Sequence, residues 1–113
     1  MTALLESIEE LLLAPAPDDD GVDDAVARIE QTLTEGYAHA LALEARRWRL
    51  HREMNEAAVG LEPGDRKRVH EVSTLADKLA STDADLTRLR ELLEALRGRA
   101  RDLRLHVGRA AAS

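Results

Sequence analysis

A chain of 113 residues and 12.5 kDa has room for one small domain. It carries 16 basic and 22 acidic side chains, a formal charge of −6, and its hydrophobic residues (44%) are supplied almost wholly by Ala, Leu and Val. With no Cys there is no disulfide, thiolate metal site or thiol nucleophile, no apolar run approaches the roughly 18–20 residues that span a bilayer, and the scarcity of aromatics predicts an all-α fold.

The opening Met1-Thr2-Ala3-Leu4-Leu5-Glu6 lacks the basic start of a secretory signal, so a cytoplasmic location is expected. Arg outnumbers Lys 14 to 2, which together with the Ala and Leu content suggests a GC-rich bacterial genome. Leu4, Leu5, Ile8, Leu11 and Leu12 share one face at helical spacing, predicting a short helix over 3–14 with Thr2 as its cap. Pro15, Pro17 and Asp18-Asp19-Asp20 then form a linker over 15–21.

A seven-residue pattern follows through Val22, Val26, Ile29, Leu33, Gly36, Ala40, Leu43, Arg47, Leu50, Met54 and Ala57, and predicts a long helix over 22–58. Gly60, Pro63 and Gly64 mark a turn over 59–64. Asp65 is the expected cap of a second long helix, 65–108, whose seam runs Val72, Leu75, Leu79, Thr82, Leu86, Leu89, Leu93, Leu96, Ala100, Leu103 and Val107. Ser81-Thr82-Asp83 could cap a fresh helix, but the seam keeps its phase there, which predicts a continuous one. A short tail over 109–113 completes a single helical domain spanning 1–113.

Two long helices joined by so short a turn fold back antiparallel, coiled-coil-like, with Leu50 opposite Leu75, Leu33 opposite Leu93 and Ile29 opposite Leu96. Charge agrees with this hairpin: residues 1–35 hold ten acids and one base, whereas residues 97–113 hold five Arg and one acid. The first helix is expected to lie along the open end of the hairpin, with Leu92 and Leu105 as its contacts. A two-helix ribbon has one narrow seam, so remaining apolar surface needs covering. Tyr37, Leu41 and Trp48 form a second stripe on the first arm, expected to join two chains into a helical bundle, a homodimer.

Basic residues cluster near the turn: Arg46, Arg49 and Arg52 on the first arm, Arg66, Lys67 and Arg68 opening the second. They offer an anion-binding surface, for a phosphate or a partner's acidic segment. The alternative is pairing across the hairpin, with Glu53 and Glu56 facing residues 67–72; the stretch 36–71 carries seven bases and six acids. Nucleic acid is not an expected partner, because the chain is acidic and only Trp48 stands near the cluster to stack on a base. Arg47 interrupts the seam and is expected to be neutralised by Glu44 or Asp77, and Gly36 marks a packing notch or bend.

The four histidines, His39, His51, His70 and His106, have no metal-ligand spacing, and neither a Glu-x-x-His repeat nor a glycine-rich phosphate loop is present. Ser7, Ser73 and Ser81 lack a partner constellation for nucleophilic catalysis. In size and hairpin plan the chain is similar to small bacterial secreted hairpins that carry a Trp-x-Gly turn, but its own turn, Val59-Gly60-Leu61-Glu62-Pro63-Gly64, has no Trp. The expected role is therefore a non-catalytic helical protein–protein interaction module, an adaptor or chaperone-like protein, with no cofactor, metal, membrane or small-molecule substrate. Partner contact falls on Tyr37, Leu41 and Trp48; the alternative is a regulator associated with anions or nucleic acid through the basic turn.

Overall fold

The computed structural model describes residues 1–112, with the side chains of residues 1–106. These residues form three α-helices, α1 (Thr2–Leu13), α2 (Val22–Val59) and α3 (Arg66–Ala112), and a 3-10 turn at Asp19–Gly21. No strand occurs among them, and none of their helices is long and apolar enough to cross a membrane. They divide into two compact units, Met1–His39 with Leu89–Ser113, and Ala40–Arg88.

In the first unit α1 begins at Met1, whose carbonyl accepts from the Leu5 amide at 3.0 Å. Thr2 lies inside the helix, and no side chain caps it, contrary to the cap expected there. The helix stops at Ala14, held extended at φ −60°, ψ 141°, because Pro15 disfavours helical geometry in the residue before it. The carbonyls freed at this end are met by Arg99 of α3, which donates to Leu12 O at 3.3 Å and to Ala14 O at 2.6 Å. That clamp fixes α1 against the C-terminal half of α3, the side expected. Leu105 is half exposed and Leu92 half-buried, and one guanidinium reaches both carbonyls at once.

Asp18 accepts the Gly21 amide at 3.0 Å and winds the linker into the 3-10 turn that feeds α2. Asp23 and Asp24 occupy the first turn of α2, where the helix dipole favours negative charge. Ile8, Val22, Ile29, Leu89, Leu93, Leu96 and Ala100 are buried together as the core of this unit. Gly36 is the notch: a Cβ there would stand 3.3 Å from Leu93 Cγ and closer still to Cδ2. Leu93 therefore packs against Gly36, which lies about one turn from Leu33, the residue expected opposite it, on the same seam. Glu30 pairs with Arg104, and His106 Nε2 lies 3.9 Å from Asp19 Oδ1, so acidic and basic blocks do meet. Helix continues to Ala112, through most of the expected tail, because Ala110, Ala111 and Ala112 are strong helix formers with no breaker. Ser113 and the Val107 side chain lie outside the described residues.

The second unit is an antiparallel hairpin closed by residues 60–65. Gly64, at φ +88°, takes the one left-handed conformation in the turn, and Arg66 N donates to its carbonyl at 3.0 Å. Asp65 caps α3 as expected, accepting the Arg68 amide at 3.1 Å. Ala40, Leu50, Thr82 and Leu86 are buried, with Leu43, Met54, Val72, Leu75 and Leu79 half-buried around them. Thr82 satisfies its hydroxyl on Lys78 O at 2.8 Å, inside an unbroken α3. Arg47 is exposed, and it forms an ion pair with Asp83 at 3.0 Å. Its long stem lets the guanidinium leave the seam and reach a carboxylate in water.

Candidate functional site

In the second unit α2 buries one side, through Ala40 and Leu50, and turns the other to solvent. The outward side carries Leu41, Trp48 and Val59, respectively 66%, 76% and 88% exposed. Their spacings of seven and eleven residues are close to two and three whole turns, so they lie within about 20° of one line along the helix. A rigid row of three large apolar side chains facing water is a binding surface in form. Tyr37, four residues before Leu41, belongs to the first unit and is 43% exposed. The sequence places Val59 in the predicted turn, whereas it is the last residue of α2, three turns beyond Trp48.

Arg46, Arg49 and Arg52 are exposed; Arg52 lies within about 40° of this row, Arg49 about 80–100° round the helix from it and Arg46 about 140–160°. None of the three has an ion-pair partner among the described residues. The structure thus sets Arg49 and Arg52 next to Leu41 and Trp48, joining parts of two sets of candidates that the sequence kept separate.

The other three basic residues go elsewhere. Arg68 is turned back on the loop: its Nε is 4.0 Å from Asp65 Oδ2, and its guanidinium fills the space a Cβ at Gly60 would take. Lys67 and Arg68 line an open groove of about 790 Å³ with Lys78 and His70, and Glu53, Glu56 and Glu71 line it too. Three carboxylates against three permanent cations leave it without net positive charge. Glu53 and Glu56 face this stretch of α3 as expected, but neither is within ion-pair distance of a described cation. Arg66 lines a different groove, about 350 Å³, with Asp65, Val69 and Ser73. The six basic residues do not converge on one point.

The histidines are dispersed, and no group of three or more His, Asp or Glu among the described residues could hold a metal ion. No buried side-chain N or O atom among them lacks a hydrogen-bond partner. The outward face of α2, with its three exposed large apolar side chains, is the strongest candidate. The chain matches no family model, no curated protein and no solved structure.

Proposed function

We propose that the chain is a helical protein–protein interaction module that docks through the outward face of α2 in the second unit. The observation that carries this is the row of Leu41, Trp48 and Val59, three large apolar side chains in line on a regular helix and mostly exposed. Covering such residues is favourable by about 25 cal/mol per Å² of apolar area, and a Trp at the centre is the residue type that most often dominates an interface. The arginines beside the row add directional polar contacts at its rim. Docking at a basic turn draws less support, since Glu53, Glu56 and Glu71 share the groove with Lys67 and Arg68.

Placing a photo-activated benzoylphenylalanine at position 48 tests the proposal. Irradiated in the producing cells, it should yield covalent adducts with protein, whereas the same group at the exposed Asp77 of α3 should not. Equal labelling from both positions, or none from position 48, would refute it.

A further inference from the structure

We infer that the occupant of this face is the same face of a second copy of the chain, packed antiparallel about a two-fold axis between Arg52 and Glu53. The inference rests on the docking proposal above and names its partner. Four charged residues follow one another on α2 as Arg49, Arg52, Glu53 and Glu56, all exposed. At about 100° per residue they fall within about 100° of one another, forming one edge beside the apolar row. None is ion-paired among the described residues.

Their order reads plus, plus, minus, minus, and antiparallel pairing about its midpoint turns that order into complementarity. A two-fold axis perpendicular to the helices brings like edges together while reversing their direction. Arg49 then stands level with Glu56 of the second copy and Arg52 with Glu53, and symmetry repeats both, giving four opposite-charge pairs. A parallel pair would set each residue level with its own number but on the opposite edge of the pair, and gains nothing from the order.

The same axis accounts for the apolar side chains. Trp48 comes within about two residues of the level of Val59 in the second copy, and Leu41 reaches the level of its turn, where Leu61 is also exposed. A foreign helix would need to supply matching acidic and basic flanks, whereas a second copy has them by construction. The thin seam of the hairpin, with most of its leucines only half-buried, gives this unit the most to gain from a cover.

The test is the mass of the full chain in solution, by sedimentation equilibrium over a concentration series, with circular dichroism confirming that each variant is helical. Wild type should be dimeric. R49E/R52E and E53R/E56R, each carrying four like charges on the edge, should dimerise at least about tenfold more weakly. An equimolar mixture of the two should restore a one-to-one dimer, and so should the fourfold exchange R49E/R52E/E53R/E56R. In the otherwise Cys-free chain, E53C should oxidise to a disulfide-linked dimer and L41C should not. Monomeric wild type, variants as dimeric as wild type, no recovery in the mixture, or cross-linking through L41C alone would each overturn the inference. Monomeric wild type with adducts to another protein from position 48 would overturn it while leaving the docking proposal standing; loss of both would end the two together.

Discussion

Gly36→Ala separates two effects of opposite sign at one position. Relative to Gly, Ala in a helix interior gains about 1 kcal/mol. Against that, the new Cβ would stand 3.3 Å from Leu93 Cγ, 3.4 Å from Cδ1, and nearer than side-chain carbons approach to Cδ2. Overpacking of this kind costs about 1–3 kcal/mol, and Leu93 cannot retreat cheaply because it is itself buried in the core of its unit. The steric term therefore offsets or exceeds the gain, for a net loss of up to about 2 kcal/mol. At about 4 °C per kcal/mol for a chain of this length, the thermal midpoint should fall, by up to about 8 °C. In a Leu93→Ala background the obstruction is gone, and the same substitution should raise the midpoint by about 4 °C, the propensity gain alone. The assay is thermal unfolding by circular dichroism at one fixed protein concentration, since self-association would move the midpoint. If Gly36→Ala stabilises the otherwise unaltered chain, the notch does not set how closely α2 and α3 approach there.

Leu96→Ala empties a buried core position and should cost about 2–5 kcal/mol in urea unfolding, whereas Leu41→Ala should leave the stability of the single chain within about 0.5 kcal/mol. Arg99→Ala removes both hydrogen bonds at the end of α1 and should cost about 1 kcal/mol, with faster amide hydrogen exchange through α1 than in the second unit. Arg99→Lys should recover little of it, because an ammonium lacks the fork that reaches two carbonyls. Gly64→Ala forces a side chain into a left-handed backbone at φ +88° and should lower stability by about 1 kcal/mol in the same urea assay.

What was legible in the sequence is what periodicity fixes. Leu86, Leu89, Leu93 and Leu96 are buried, α3 is unbroken at Ser81–Asp83, and Asp65 caps it, because each depends on spacing or on a side chain a few residues away. Register was less legible. Leu33 and Gly36 lie about one turn apart on the seam, so the pattern allows Leu93 to pack on either, and the close approach of Leu93 to Gly36 links residues far apart in the chain. Arg47 likewise pairs with Asp83, a residue far from it in the chain.

The charges on α2 were hidden for a different reason. Counted as a block, residues 36–71 nearly cancel, which made self-paired solvation within one chain the simplest account of them. Among the described residues, however, Arg49, Arg52, Glu53 and Glu56 form no ion pair, although Arg49 with Glu53 and Arg52 with Glu56 stand four apart on one helix. A net count discards order, and order along one edge of a helix decides what an antiparallel copy would meet. Charges that balance but stay apart in the folded chain are therefore worth testing for their symmetry: a pattern that reverses sign about its own midpoint is complementary to itself, and only the antiparallel arrangement uses it.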